Sequence, residues 1–212
     1  MPCEELVKPM LIGRTSSHFT RVARIFAAEM RVDYSFRVAL DLMSFDSCDY
    51  GGNPALRLPT LRTLGGAWFG ALNICRELFR QSSAKARVVW PEDLDRPLLA
   101  NAQELVVQAM STEVALIMAE IAGQDPSGKH ELKLRTSLVG SLGWLEENAE
   151  AVLAALPEER DISYLEVTLF CLVTHLKFRE VLATEGYKEL NGFCQRFAAR
   201  ASAQTTPYRF DA

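Results

Sequence analysis

Two adjacent hydroxyl side chains, Ser16 and Ser17, directly precede a segment whose apolar residues recur at helical spacing. The segment is FTRVARIFAAEM, residues 19–30, and its arginines and glutamate fall on the other side. Serine is preferred just before a helix, because its hydroxyl oxygen accepts a hydrogen bond from an unpaired N–H group of the first turn. The same helix end carries partial positive charge, so it can hold an anion. The alternative is that both serines serve only as helix caps.

The histidines and cysteines show no pattern of metal ligands. They stand at His18, His130 and His175, and at Cys3, Cys48, Cys75, Cys171 and Cys194. The spacings are long, the number of cysteines is odd, and no CxxC pair occurs. We therefore predict no metal site and reduced thiols, with Cys75, Cys171 and Cys194 on buried helix faces.

Composition excludes several classes of partner. Hydrophobic residues make up 49% and charged residues 24% of the 212 residues, so the chain can bury a sizeable core. The net charge of -4 argues against nucleic acid as a partner, because binding a phosphate backbone needs a basic surface. No apolar run approaches the roughly 18 residues of a membrane span. The N-terminal segment MPCEELVKPM has early acids and no long apolar core, which predicts no signal peptide and a cytoplasmic protein.

The first 80 or so residues alternate between strand and helix patterns. Strands are predicted over 9–13 and 32–42, and two short strands around Pro59 are separated by a tight turn at Gly65–Gly66. Helical spacing follows residues 16–17 and returns after Gly70. The order strand, helix, strand, then strand, strand, helix predicts a parallel crossover followed by an antiparallel hairpin.

The remainder of the chain is predicted to be helical. Residues 82–97 contain two serines, two prolines and mixed charge, which is typical of a linker. Helical periodicity then predicts four helices, at 92–122, 129–156, 163–183 and 187–200. The third is so apolar that we expect it to be buried on most sides. The tail SAQTTPYRFDA shows no periodicity.

Four segments, in this order and spacing, resemble motifs of the cytosolic glutathione transferases. They are SHFTRVARI at 17–25, NPALRLPTL at 53–61, GAWFGALNI at 66–74 and DISYLEV at 161–167. The last also reads as a helix start, with Ser163 as the cap and the Glu166 side chain reaching back to the Ser163 N–H. The resemblance implies an α/β plus all-α fold. It places a thioredoxin-like N-terminal domain (βαβ-ββα) at 1–81, a linker at 82–97 and an all-helical C-terminal domain at 98–212.

The resemblance also implies a thiol chemistry. In that family the sulfur of glutathione becomes a thiolate, which the helix start and a hydroxyl donor stabilise. Ser17 matches the family's serine position, and Ser16, one residue earlier, is the alternative donor. A tyrosine-type site is excluded because the first strand has no tyrosine, and a cysteine-type site because position 17 is serine. His18 replaces the family's usual proline, and we expect a solvated loop histidine rather than an anion donor.

Three further positions are implied for glutathione itself. The family's proline bond is cis, so Pro59 is expected to be cis, leaving the Leu58 backbone to pair with the cysteinyl backbone of the tripeptide. Arg57 can pair with the glycine carboxylate or be an ordinary surface arginine. Gly70 and Ala71 replace the family's acid–serine pair. The Ala71 N–H can still meet a carboxylate, but two lost side-chain contacts would weaken binding on the order of 100-fold.

Three functions are compatible with these residues. The first is a glutathione transferase that uses glutathione as co-substrate, needs no cofactor and conjugates the thiol to a hydrophobic electrophile. The second is a non-catalytic binding or interaction module on the same scaffold, which the replacement at Gly70–Ala71 favours. The third is an enzyme of this fold that acts on another anionic ligand. The resemblance implies a homodimer, and neither nucleic acid nor membrane is expected as a partner.

Overall fold

The computed structural model describes residues 8–211, and the chain forms two compact units. The first unit consists of residues 1–85 and 200–212, and the second consists of residues 86–199. The predictions for the N-terminal segment and for Cys3 fall largely on residues 1–7, which lie outside the described residues. Over 8–211, no helix combines the length and apolar character needed to cross a lipid bilayer.

The first unit contains a four-stranded mixed sheet and two main helices. The strands are β1 (Met10–Gly13), β2 (Ser35–Val38), β3 (Thr60–Thr63) and β4 (Gly66–Phe69), in the spatial order β2-β1-β3-β4. The helices are α1 (His18–Glu29), which connects β1 to β2, and α2 (Ala71–Gln81), which follows β4. β1 and β2 are parallel, whereas β3 is antiparallel to both β1 and β4. This arrangement confirms the predicted βαβ-ββα order.

The core of the first unit lies between the sheet and the two helices. Side chains of β1 and β3 meet apolar side chains of α1 and α2, and the following are at most 1% exposed: Leu11, Ile12, Leu61, Val22, Ile25, Phe26, Ile74 and Leu78. Each such side chain stabilises the fold by about 1.5–3 kcal/mol relative to exposure. The spacing of the helical members is the apolar periodicity from which the helices were predicted.

The second unit is mainly helical, as predicted. Its helices are α3 (Pro97–Ile121), α4 (Lys129–Ala155), α5 (Tyr164–Arg179) and α6 (Lys188–Phe197), and its short parallel strands are β5 (Val88–Val89) and β6 (Ile162–Ser163). α5 is buried on most sides, as its composition predicts. At its start the Ser163 hydroxyl accepts from the Glu166 N–H at 3.0 Å, which confirms the cap. The Glu166 carboxylate accepts from the Ser163 hydroxyl and from Arg160, rather than from the Ser163 N–H.

Local boundaries differ from the predicted ones at several places. The strand predicted at 32–42 is limited to 35–38. The two strands predicted around Pro59 both begin after that residue. The hairpin turn is formed by Leu64 and Gly65, one residue earlier than the predicted Gly65–Gly66, because Gly66 already pairs with Thr63. The segment 82–97 is not wholly irregular, since it contains β5 and a 3-10 turn at Pro91–Asp93. Cys75, Cys171 and Cys194 are buried as predicted, and Cys48 is exposed.

The C-terminal segment groups with the first unit, whereas the sequence analysis places it with the helices of 98–212. A short helix, α7 (Ala201–Gln204), is preceded by Arg200, whose guanidinium pairs with the Glu29 carboxylate at 2.8 and 3.0 Å. The Ser202 hydroxyl donates to the same carboxylate, and Arg21 donates to the Ala203 carbonyl at 3.3 Å. These contacts join residues more than 170 positions apart, so no local sequence period reveals them.

Candidate functional site

Three segments that carry the predicted site residues meet at one edge of the sheet. Ile12 near the end of β1 pairs with Thr60 at the start of β3, and Thr60 pairs with Phe69 at the end of β4. The residues just beyond these strand ends are therefore neighbours at that edge. They are the loop 14–17 before α1, the segment 57–59 before β3, and Gly70–Ala71 at the start of α2. We call this region the sheet-edge site.

Ser17 caps α1, as the sequence predicts. Its hydroxyl oxygen accepts from the Thr20 N–H at 3.3 Å, and its own N–H donates to the Arg14 carbonyl at 3.1 Å. A hydroxyl that accepts at its oxygen retains its own O–H for donation. Among residues 8–211 the Ser17 O–H has no acceptor. Ser17 is only half-buried, so its O–H is available to a bound anion. Ser16, the alternative donor, is also half-buried.

The loop before Ser17 is held by the C-terminal segment. The Thr15 N–H donates to the Asp211 carboxylate at 2.9 Å, and the Thr15 hydroxyl donates to the Arg209 carbonyl at 2.9 Å. The Arg14 guanidinium lies 3.4 Å from the same carboxylate and donates to the Leu40 carbonyl at 2.9 Å. The loop is therefore fixed from two sides while Ser17 stays accessible. Sequence reasoning missed Asp211, because an acid in an aperiodic tail gives no signal.

His18 differs from its expected role. It is the first residue of α1 and only 1% exposed, so the expectation of a solvated loop histidine is wrong. Its Nδ1 accepts from the Phe19 N–H at 3.1 Å, and its ring contacts the Phe19 ring edge-on at 4.6 Å between centroids. Nδ1 is therefore occupied as an acceptor and cannot donate to an anion. The sequence could not predict this burial, because histidine is found both at buried helix starts and in exposed loops.

The Leu58–Pro59 peptide bond is cis, which confirms the prediction. Pro59 is buried and Leu58 is half-buried, and the Leu58 N–H and C=O make no hydrogen bond with any of residues 8–211. Buried Asn53 shapes this segment, because its amide donates to the Arg57 carbonyl at 2.8 Å and accepts from the Ala55 N–H at 3.0 Å. Bonding of an asparagine to backbone two residues onward is a known turn device, and it was the available signal for Asn53.

Arg57 is exposed next to this open backbone. Its guanidinium makes no ion pair within the described part of the chain. It is therefore free to meet a carboxylate at the sheet-edge site. The same exposed position is also compatible with the alternative interpretation, an ordinary surface arginine.

Gly70 and Ala71 form the start of α2. Gly70 has φ 80°, a conformation that favours glycine, and a Cβ added there would meet nothing within 4 Å. Ala71 is buried, and the first turn of α2 contains no acid, so its N–H groups keep their partial positive charge. The nearby Asn73 side chain donates to the Phe69 carbonyl at 3.1 Å. Its amide group is therefore turned back, and it does not replace the missing serine hydroxyl.

Comparison with solved structures gives a consistent assignment of the fold. A glutathione transferase family member from Pseudomonas fluorescens, solved with bound glutathione, has a TM-score of 0.75 and 20% identity over 95% of this chain and 99% of that chain. A glutathione S-transferase from Methylobacillus flagellatus, also with glutathione bound, has a TM-score of 0.73 and 18% identity over 95% and 100%. The Tau class enzyme of mango, Mangifera indica, has a TM-score of 0.67 and 17% identity over 94% and 92%.

Comparison of the sequence alone gave no match. No family model and no curated protein matches this chain. At identities of 17–20% the structural likeness shows the fold alone. This chain thus has the glutathione transferase fold, with a thioredoxin-like N-terminal part and a helical second part.

Proposed function

We propose that the protein binds glutathione at the sheet-edge site and adds its thiol to a hydrophobic electrophile. The observation that carries this proposal is the convergence at one sheet edge of a capped helix start, an open backbone segment and a second helix start. Glutathione has a thiol between two carboxylate ends. A helix start can hold the thiolate, the open backbone can pair with the peptide, and the second helix start can hold a carboxylate. The glutathione-bound relatives from Pseudomonas fluorescens and Methylobacillus flagellatus share this fold and support the proposal.

The start of α1 is the proposed position of the sulfur. A thiolate there would meet the partial positive charge of the helix and the free O–H of Ser17. Both favour the charged form, so both lower the pKa of the bound thiol and raise the fraction of reactive thiolate at neutral pH. Ser16 is the second candidate for the same donation.

The remaining contacts are proposed to fix the two ends of the tripeptide. The unpaired N–H and C=O of Leu58 can pair with the cysteinyl backbone as one added strand. The exposed guanidinium of Arg57 can meet the glycine carboxylate. The N–H groups at Ala71 can receive the carboxylate of the γ-glutamyl end. Backbone groups make most of these contacts, so they tolerate the sequence differences from the relatives.

A second function, a non-catalytic binding module, is supported by Gly70. No side chain projects from this position, and Asn73 is turned back to Phe69. The amino group of the γ-glutamyl end then lacks an acidic partner from this helix start, and glutathione binding is weakened relative to a site with the acid–serine pair.

Calorimetric titration with glutathione, together with a conjugation assay using chlorodinitrobenzene, tests the proposal. We expect binding at millimolar glutathione or below and a conjugation rate above that of the uncatalysed reaction. Ser17→Ala should lower the conjugation rate by about 10- to 1000-fold, because one donor to a developing anion is lost. Ser17→Thr is the matched control, because threonine retains both the hydroxyl and the cap.

The possible outcomes separate the functions. Binding without conjugation by any tested electrophile would favour the non-catalytic module. Equal rates for the wild type and Ser17→Ala would remove Ser17 from the mechanism. Absence of glutathione binding at ten millimolar, with other anions binding at the same edge, would leave the third function and end the glutathione proposal.

We further propose that the protein forms a homodimer. Two large apolar side chains of the first unit, Phe45 and Leu64, are 93% and 90% exposed, and contact with a second copy would remove them from water. Light scattering during size-exclusion chromatography measures the mass directly. A monomer at tens of micromolar protein would contradict this part of the proposal.

A further inference from the structure

A cavity of about 410 Å³ lies in the first unit at the end of α1 opposite to Ser17. α1 and the two residues that follow it form one wall, residues 32–34 form a second, and Thr205–Thr206 form a third. Ala27, in the last turns of α1, is ten residues from Ser17, which corresponds to about 15 Å along the helix, and no lining residue belongs to the sheet-edge site. The cavity is therefore separate from the sheet-edge site. Its volume lies in the usual range for small-molecule sites, about 300–1,000 Å³.

The spacing of residues on α1 explains the cavity. Arg24, Ala27 and Ala28 occupy positions i, i+3 and i+4 on one face of α1, and Arg31 lines the same cavity from just beyond the helix end, where the backbone turns left-handed with φ 53°. The two central alanines are too small to fill the space between the arginines that flank them. The face therefore has a shallow apolar floor with a cation at each end. Val32 and the ring of Tyr34 add further apolar surface.

The two arginines of this cavity have no anionic partner among the residues that the structure describes. Neither Arg24 nor Arg31 makes an ion pair or a side-chain hydrogen bond within residues 8–211. The Arg24 guanidinium lies over the Phe36 ring at 5.6 Å, and its Nη1 is buried without a hydrogen-bond partner. A guanidinium that is half-buried and unpaired attracts an anion more strongly than a fully solvated one, because less water screens its charge.

The acids near the cavity do not neutralise this charge. Glu29 is bound by Arg200 and by the Ser202 hydroxyl, so its carboxylate is already satisfied. Asp33 lines the cavity, is exposed, and pairs with neither arginine within the described residues. Two guanidiniums and one carboxylate leave a net positive charge. Because Asp33 is solvated, water screens its charge, and it opposes a bound anion less than the half-buried Arg24 attracts it.

We propose that this cavity binds a small organic anion, with its carboxylate between Arg24 and Arg31 and a flat apolar body against Ala27 and Ala28. The charge selects an anion, and the alanine floor selects an apolar body. The site is independent of glutathione binding, because none of its residues belongs to the sheet-edge site.

NMR titration of the ¹⁵N-labelled full chain tests this proposal, with benzoate as the probe and benzamide as its uncharged analogue at equal ionic strength. We expect saturable shifts of the amides at 27–34 and 205–206 with benzoate, with a dissociation constant on the order of 1 mM, and none with benzamide. The same shifts should occur with glutathione present and in Ser17→Ala.

Variants separate charge from shape. Arg24→Gln and Arg31→Gln should each weaken benzoate binding by about tenfold or more, because each removes one charged donor. Ala28→Leu keeps both charges but fills the floor, so it should abolish binding, and Ala28 is exposed, so the helix tolerates leucine. Arg62→Gln removes an exposed arginine of β3 outside the cavity and should bind like the wild type.

Three results would overturn the proposal. The first is a lack of saturable shifts at these amides, and the second is an equal response to benzamide. The third is wild-type affinity in both arginine variants. Circular dichroism melts establish that each variant is folded, and loss of fold in one arginine variant leaves the other and Ala28→Leu to decide.

Discussion

The backbone N–H of Thr15 donates to the carboxylate of Asp211 at 2.9 Å, although the two residues are 196 positions apart in the chain. The contact joins the loop before the Ser17 cap to the last described residue. It is reinforced by the Thr15 hydroxyl, whose single proton is shared between the Arg209 carbonyl and the same carboxylate, which lies 2.5 Å away. The Asp211 side chain is only 7% exposed, so water replaces little of this interaction. The geometry of the candidate site therefore depends on residues from both ends of the sequence.

Asp211→Ala should destabilise the protein by about 1–3 kcal/mol, because it leaves a partly buried N–H without its charged acceptor. Hydrogen exchange at Thr15 and Ser17 should also become faster. Urea unfolding measures the first effect and exchange mass spectrometry the second. Asp95→Ala, which removes an exposed carboxylate with no side-chain partner in the described residues, should stay within about 0.5 kcal/mol of the wild type. Equal stability of the wild type and Asp211→Ala would contradict the role of the contact.

Gly70→Glu combined with Ala71→Ser should raise the affinity for glutathione by about 10- to 100-fold if α2 receives the γ-glutamyl end. The space is available, because a Cβ at Gly70 meets nothing within 4 Å. The backbone at Gly70, with φ 80° and ψ 142°, lies in a region that is sparsely populated by non-glycine residues, so the substitution costs about 1–3 kcal/mol of stability. Calorimetric titration measures the affinity.

The matched control for this change is Gly52→Glu. Gly52 also has a positive φ, 87°, and equally open surroundings, so the substitution adds the same charge away from α2. It should show no gain in affinity. If the double variant gains no affinity over the wild type, the γ-glutamyl end does not bind at this helix start.

Gly13→Ala should destabilise the fold by about 1–3 kcal/mol through overpacking. A Cβ at Gly13 would lie 2.5 Å from both Cγ2 and Oγ1 of Thr20, a β-branched and fully buried side chain. Threonine has few alternative rotamers in a helix, so the strand and α1 must move apart. Thermal and urea unfolding measure the loss. Adding Thr20→Ala removes both clashing atoms and should recover part of the stability, and a purely additive double variant would show that the clash is not the cause.

Glu113→Gln should change how stability varies with pH. Glu113 is fully buried and lies 2.7 Å from His175 Nδ1 within the second unit. Burial raises the pKa of the Glu113 carboxyl, while the hydrogen bond and charge of His175, and the charge of Arg179, lower it by less. The folded protein therefore holds this proton more tightly than the unfolded chain does. Its contribution to stability is complete below the ordinary carboxyl pKa of 4.5 and is lost as pH rises through the higher folded-state pKa.

The glutamine variant lacks this loss, so its free energy of unfolding should improve relative to the wild type as the pH rises above 4.5, the ordinary pKa of the carboxyl group. Urea unfolding at several pH values measures the difference. The control is Glu120→Gln, an exposed glutamate of the same helix, which should show a constant difference. A constant difference for Glu113→Gln as well would contradict the raised pKa.

The order of strands and helices followed from the sequence because each element depends on a local apolar period. The core members of α1 and α2 and the buried face of α5 are the residues that produced that period. The resemblance to glutathione transferases added the cis bond before Pro59 and the assignment of Ser17, Leu58 and Gly70 to one ligand. The strand register then brings these residues together, because the pairing of β1 with β3 and of β3 with β4 places the segments that carry them side by side.

The features that sequence did not provide depend on long-range packing. Neither the burial of His18 nor the position of Asp211 has a local pattern, because each is set by elements far away in the chain. The cavity beside Arg24 and Arg31 is an intermediate case. The spacing of Arg24, Ala27 and Ala28 on α1 can be read from the sequence, but the lack of partners for Arg24 and Arg31 is known only once the surrounding side chains are placed.

The grouping of residues 200–212 with the first unit has a consequence for protein synthesis. The ribosome releases the four strands early, yet the partner of Glu29 and the acceptor for Thr15 emerge only after all 114 residues of 86–199 have been made. Nascent chains arrested before Arg200 should therefore carry an N-terminal unit that proteases cleave more readily. Protection should appear once residues 200–212 leave the ribosomal exit tunnel.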